Sequence, residues 1–326
     1  MRRICFVLVL AAAMLVPAAA QNAGNTFVGR WDLTFTTADA KFPSWMEVVE
    51  KDGGLQVRAQ EREGGVHPVS SASIEGGKLI VTVSKAAPAR AAEGDRPEMP
   101  ARPAHIWELS AKSGKLTGIQ KRGDNVVAKI SGAKAPELKR TAPAEWTKPE
   151  SLFNGKDLTG WVTMNNTQDP KRAVNHWVVK NGELVNEAQG HNIMSTKKFT
   201  DFKLHVEFNM EEKANSGIYL RGRYECQMPP PARAGRGPMY AIYGMVPATE
   251  AAPAKPGEWR TYDITLVGRY VTLVVDGVKI VDNQEIAGIT GGALDSSEGE
   301  PGPIYFQGDH TGGIRYRNIT ISVPKR

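Results

Sequence analysis

The tetrapeptide Tyr224-Glu225-Cys226-Gln227 sets a carboxylate and an amide two positions apart, the spacing that brings side chains to one face of a pleated strand. Tyr224 and Cys226 take the other face. If those two point into a core, Glu225 and Gln227 line an open sheet surface, joined by Arg221 or Arg223 from the preceding turn. Arginine and glutamine present paired donors to neighbouring hydroxyls and a carboxylate accepts, a set suited to a polyol. From spacing alone, a solvated face carrying an Arg–Glu ion pair fits at least as well.

His310 closes the run Phe306-Gln307-Gly308-Asp309-His310, with Gly312 and Gly313 just beyond it. Imidazole is the side chain best suited to take and return a proton near neutral pH, although a lone loop histidine is more often simply solvated. The other histidines carry weaker signals. His67 and His105 belong to the amino-terminal region, His176 precedes Trp177 in a core-like strand, and His205 lies on a polar strand face. His191, in a Gly190-His191-Asn192 turn, could border a site.

Several chemistries are absent from the pattern. No histidine pair has zinc-motif spacing, and there is no Gly-x-Ser-x-Gly elbow, phosphate-cradling glycine loop or dinucleotide fingerprint. Serine-hydrolase, kinase and dehydrogenase chemistries fall away, and no cofactor is expected. A divalent metal on loop carboxylates stays open.

These residues need strands to position them. Lys203 to Met210 alternates, with Leu204, Val206, Phe208 and Met210 on one face and Lys203, His205, Glu207 and Asn209 on the other, a half-buried antiparallel strand. Thr261 to Asp282 repeats the theme around the hairpin signal Asp276-Gly277. Near the end, Ile314 and Tyr316 have one parity and Ile319 and Ile321 the other, so a bulge near Arg317-Asn318 is needed to bury all four. Arg317 reads as a structural plug. Met228 to Gly257, dense in Pro, Gly and Ala, predicts a long loop across the sandwich.

Upstream, from Gly29, short alternating runs are separated by Asp52-Gly53-Gly54, Glu75-Gly76-Gly77 and Ser113-Gly114-Lys115. This predicts an antiparallel meander, closed as a small barrel or a curled sheet. Gly29-Arg30-Trp31 resembles the opening of lipocalin-like barrels; a filled, structural barrel is expected, with a ligand-carrying one as the alternative. Lys85 to Pro103, poor in apolar residues, predicts a mobile loop. The expected fold class is all-β, two antiparallel sheets packed face to face over 151–326 preceded by a smaller antiparallel β domain over 21–140, with a linker at 141–150.

Five motifs occur in order in the second domain: LFNGKDLTGW from Leu152, NSGIYLRG from Asn215, YECQ from Tyr224, PGEW from Pro256, and GPIYFQGDH from Gly302 followed by RNITI from Arg317. Their order resembles the 3-keto-disaccharide hydrolase-like family, and that resemblance implies a concanavalin-like jelly-roll sandwich for 151–326. The chain departs from it at Met228-Pro229-Pro230-Pro231, where relatives commonly carry an acid.

The resemblance implies an exported enzyme that cleaves 3-keto-glycosides. A C3 ketone acidifies the C2 proton, so a base can remove it and the C1 substituent can leave by β-elimination, without the paired carboxylates of ordinary glycosidases. Under that reading His310 or Glu225 is the base and Arg221 stabilises the enolate. Gln227, Tyr243, Gln307, Arg223 and Asn215 bind substrate. The alternative from another class is a non-catalytic carbohydrate-binding module of the cell envelope, a use the same sandwich supports. Because the motifs are complete from about Ser151, that segment is expected to fold and act by itself.

Arg2 and Arg3, the apolar run Ile4–Val16 and Ala18-Ala19-Ala20 follow the plan of a secretory signal peptide over 1–20, with cleavage near Ala20 and a secreted or periplasmic product. Cys226 is then the single cysteine, so stability must come from a packed core rather than a disulfide. The 41 Lys+Arg against 35 Asp+Glu give +6, or +4 once Arg2 and Arg3 are lost. That is too mild to argue for nucleic acid, and no later segment is apolar enough to span a membrane. The expected partner is a carbohydrate.

Overall fold

The computed structural model describes residues 26–60, 65–91, 98–164, 173–228, 240–249 and 255–325. The proposed signal peptide lies outside them. So do the departing prolines 229–231.

The amino-terminal strands are β1 (Gly29–Thr36), β2 (Lys41–Lys51), β3 (Gly54–Gln60), β4 (Val66–Pro68), β5 (Ser71–Glu75), β6 (Lys78–Ser84), β7 (His105–Lys112), β8 (Lys115–Arg122) and β9 (Asn125–Lys134). They form one sheet in the order β4-β3-β2-β1-β9-β8-β7-β6-β5. The sheet curls round on itself between β4 and β5. There Val69 N bonds Val57 O on one side, while Ser70 N bonds Thr82 O on the other. Alternation sends Trp31, Leu33, Phe35, Met46, Val57, Val81, Trp107, Leu109 and Ile130 inward, where they form one apolar cluster that fills the interior. Gly118 belongs there because a Cβ would stand 2.2 Å from Glu108 O.

The described residues between Lys85 and Pro103 are more ordered than their composition suggests. Backbone pairs Ala87–Arg102 and Arg90–Met99 zip the two arms together. Backbone donors and acceptors can pair whatever the side chains are, so low hydrophobicity does not exclude a ladder.

Two further sheets make the sandwich. The first runs β12 (Trp177–Lys180), β13 (Glu183–Asn186), β24 (Ile314–Ser322), β15 (Phe202–Met210), β20 (Trp259–Val267), β21 (Tyr270–Val275) and β22 (Val278–Glu285), with β10 (Glu150–Ser151) added to β24. The second runs β11 (Trp161–Met164), β14 (Asn192–Ser195), β23 (Tyr305–Phe306), β16 (Gly217–Leu220), β17 (Tyr224–Gln227), β18 (Tyr240–Ile242) and β19 (Val246–Pro247). Leu204, Val206 and Phe208 from one sheet and Ile218, Cys226 and Ile242 from the other share a single core. The fold is an all-β jelly-roll sandwich preceded by a β-barrel-like unit. The segment expected as one long loop contributes two short strands, β18 and β19, to the second sheet.

The expected bulge is present. Pairing of β15 with β24 shifts register between His205 and Glu207, Asn318 takes φ +48°, and Ile314, Tyr316, Ile319 and Ile321 are all buried. Arg317 pairs with Glu207 at 2.7 Å and sits 3.9 Å over the Trp259 ring, a structural role.

The two units interlock. Trp45 points out of the barrel and is buried within the sandwich's core cluster. Its indole lies on Gly288, where any Cβ would stand 2.1 Å from Nε1. Arg30 pairs with Glu285, and Ser296 bonds both Thr34 and the Leu33 carbonyl. Independence of the sandwich, expected from its complete motif series, is not what this packing favours. Removing the barrel uncovers apolar surface that Trp45 now fills.

Candidate active site on the second sheet

Strand register sets the site. Across the second sheet Met194, Tyr305, Tyr219 and Glu225 are directly opposed neighbours in turn, and Gly217 opposes Gln227. These residues share the face turned away from the core, since Ile193, Phe306, Ile218, Tyr224 and Cys226 fill the core side. The Tyr219 and Tyr305 rings stack with centroids 4.2 Å apart.

Glu225 is the centre of the arrangement. Its backbone N–H donates to Thr290 Oγ1 at 2.9 Å, and its Oε2 lies 2.9 Å from the Tyr219 hydroxyl. Gly217 makes room for it, because a Cβ there would meet Oε1 at 2.4 Å. The side chain is 4 % exposed. Burial pushes its pKa up to about 7, against the lowering effects of the Tyr219 bond and the His310 charge; Asp309 adds a further upward push.

His310 and Asp309 stand on the loop after β23. The Asp309 carboxylate bonds His310 Nδ1 at 2.9 Å, fixing the ring. Asn192 holds that loop: its Oδ1 accepts from Gly308 N at 2.6 Å and Asp309 N at 3.1 Å, while its Nδ2 donates to Tyr305 OH at 2.9 Å. Gly308 is required, since a Cβ would lie 2.2 Å from His191 O. His191 borders the site through this contact.

Among the residues expected to bind substrate, Gln307, Gln227, Asn215 and Tyr243 gather here. Gln307 N donates to Gly217 O, and the Gln307 Oε1 is buried with no hydrogen-bond partner among the described residues. Gln227 Nε2 donates to Asn215 Oδ1 at 3.1 Å. Tyr243 is half-buried with its N–H on Glu225 O, and burial and then the Glu225 charge raise its pKa.

Arg221 and Arg223 do not join them. The turn after β16 puts Arg221 at φ +53°, which breaks the strand's alternation and sends its side chain inward. Arg221 is fully buried and donates to Tyr224 OH and Gly268 O, both at 2.9 Å. Arg223 grips Asp295 at 2.8 and 3.2 Å and the Glu300 carbonyl. Behind them Glu298, wholly buried, accepts from Tyr224 OH and pairs with Arg269 at 2.5 Å. Asp32 of β1 reaches the same cluster. The expected enolate-stabilising role of Arg221 is therefore corrected: Arg221 braces Tyr224 and the Gly268 turn, and Arg223 fastens the 295–300 loop.

Sequence reasoning missed Tyr219, Tyr305, Asn192 and Asp309. Tyr219 sits between Ile218 and Leu220 and reads as core, yet its parity with Gly217 marks it for the face opposite the core. Among the described residues no group of three or more His, Cys, Asp or Glu stands close enough to hold a metal. No helix among them is long and apolar enough to cross a membrane.

Fold and site together define a jelly-roll β-sandwich protein with a buried carboxyl and an Asp–His pair on one sheet. The chain belongs to the 3-keto-alpha-glucoside-1,2-lyase-like domain family, whose model matches residues 148–322. That family is named for action on a 3-keto-glucoside, a carbohydrate. Similar solved structures include two candidate glycosyl hydrolases from Parabacteroides distasonis. One is 26 % identical over 57 % of this chain and 93 % of its own, TM-score 0.42. The other is 22 % identical over 56 % and 94 %, TM-score 0.41. A carbohydrate binding module from Bacillus subtilis is 11 % identical over 50 % and 94 %, TM-score 0.32. No curated protein matches the chain.

Proposed function

We propose that the protein cleaves 3-keto-glycosides by C2 deprotonation and β-elimination, with water addition completing a net hydrolysis. The observation that carries this reading is Glu225: buried, with a pKa of about 7, one oxygen bonded to Tyr219 and the other without a hydrogen-bond partner among the described residues. A base poised near neutrality is matched to a proton acidified by an adjacent ketone. Glu225 takes the C2 proton. The C2–H electron pair becomes the C1=C2 double bond as the C1–O bond breaks, and the departing oxygen takes a proton from His310. Addition of water across that double bond, hydrogen to C2 and hydroxyl to C1, gives the free 3-keto sugar. Gln307, Gln227, Asn215 and Tyr243 serve the sugar hydroxyls. With both arginines engaged elsewhere, His310 is the donor for developing negative charge.

The deciding experiment incubates purified protein with a chemically prepared 3-keto-glucoside and follows aglycone release. Release by the wild type but not by Glu225→Gln supports the proposal. Binding without release makes the protein a carbohydrate-binding module, and neither binding nor release overturns both. We further propose export, on the Arg2–Ala20 pattern. Amino-terminal sequencing of protein recovered outside the cytoplasm checks it, with Gln21 the expected first residue.

A further inference from the structure

The Tyr219 hydroxyl has two acceptors and one proton. Its oxygen lies 2.9 Å from Glu225 Oε2 and 2.8 Å from the Gly291 carbonyl. A carbonyl can only accept, an ionised carboxylate can only accept, and a phenol has a single hydrogen to give. Both contacts are satisfied together only when Glu225 is protonated and donates to Tyr219, which then donates to Gly291. When Glu225 is ionised the tyrosine proton turns to Oε2, and the Gly291 carbonyl loses its donor.

Gly291 belongs to a segment fastened to this face. Thr290 N and Oγ1 both bond Arg223 O, Thr290 Oγ1 accepts from Glu225 N, and Leu294 N bonds Gly222 O. Gly292, at φ +78°, lies so close that a Cβ would stand 2.3 Å from the Tyr219 oxygen. Tyr219 is 1 % exposed, so water does not compete freely for its proton.

We propose that Tyr219 is a positioning residue for Glu225, whose single hydroxyl proton couples ionisation of that carboxyl to the Gly291–Gly292 segment packed on it. The inference rests on Glu225 being the working base. The titratable groups facing Glu225 are Tyr219 from β16, Tyr305 from β23, Asp309 and His310 from the following loop, Tyr243 after β18, and Cys226 beside it. Among the described residues only Tyr219 hydrogen-bonds the carboxyl itself. The covering segment contributes Thr290, which does not titrate.

The test follows the Glu225 carboxyl carbon by NMR across pH in protein labelled at glutamate, the signal being assigned by its loss in Glu225→Gln. Tyr219→Phe removes the hydrogen bond to the carboxyl, and because a charge-assisted bond to the ionised form is stronger than the neutral bonds it replaces, the midpoint is expected to rise. The pH of half-maximal kcat/KM should move up with it. An unmoved carboxyl midpoint overturns the proposal. So does an equal rise in Tyr305→Phe, which removes a hydroxyl from the same stack without touching the carboxyl bond. A carboxyl midpoint that rises while the kcat/KM profile stays fixed upholds Tyr219 and removes Glu225 as the base. The wild type gives a readout independent of any variant's folding. The Gly291 carbonyl carbon should titrate with the Glu225 midpoint, and a pH-invariant signal there overturns the coupling.

Discussion

Under the proposed mechanism Glu225 and His310 divide the work by environment. One is a carboxyl raised into the neutral range by burial, the other an imidazole held at Nδ1 by Asp309. If Glu225 is the base, kcat/KM rises with pH as it ionises, half-maximal at about 7. On the same reading Glu225→Gln, which keeps the shape but loses the charge, is expected to abolish turnover in the aglycone-release assay. His310→Ala should lower kcat by about 10²–10⁴-fold with little change in KM, measured by steady-state kinetics on the 3-keto-glucoside. The pairing of Glu225 with Gln227 on one face was legible in the tetrapeptide, because a pleat alternates regardless of context. Arg221 was not, because a left-handed turn residue leaves the alternation that made the argument.

At the level of elements, short strands fix side chains and the loops between them are fixed by backbone contacts. The 308–310 loop depends on Asn192 and on the missing Cβ of Gly308. Gly308→Ala drives a methyl into the His191 carbonyl and the Trp177 indole. A loss of about 1–3 kcal/mol in denaturant unfolding is expected, with a larger relative fall in kcat than in stability as His310 shifts. Hairpins and strands were readable from alternation and glycine turns. So was the Arg317-Asn318 bulge, since a parity change inside one buried strand has no other solution. The short strands β18 and β19 were hidden, because edge pairing uses the backbone and leaves little mark on Pro- and Gly-rich sequence.

For the whole molecule, the junction between barrel and sandwich is the feature that sequence reading could not supply. Trp45 shares an outward parity with Glu47, and Gly288, on which its indole lies, is 243 positions away in sequence. Trp45→Ala should cost about 3–5 kcal/mol by chemical denaturation, the range for an emptied aromatic core site. Nearby Asp32 is pushed up to about 9, chiefly by burial and then by the Glu298 charge. A carboxyl whose folded pKa exceeds its unfolded value of about 4 holds its proton more tightly in the native state. Its contribution therefore favours the fold at low pH and is lost as pH rises through neutrality toward about 9. Asp32→Asn removes the charge, so the variant's melting temperature should fall less than the wild type's between about pH 6 and about pH 9. Scanning calorimetry at both values checks it.

The thiol of Cys226 sits on the core side of the strand that carries Glu225, fully buried, with burial holding its pKa well above the usual range. It is thus a chemically silent probe one peptide bond from Glu225 and the face proposed for catalysis. A soluble alkylating reagent reaches it only when the two sheets part, whereas motion of the 308–310 or 290–294 loops leaves it covered. Pulsed alkylation at position 226 can therefore clock separation of the sandwich while turnover reports on the loops, giving two independent stopwatches within one strand.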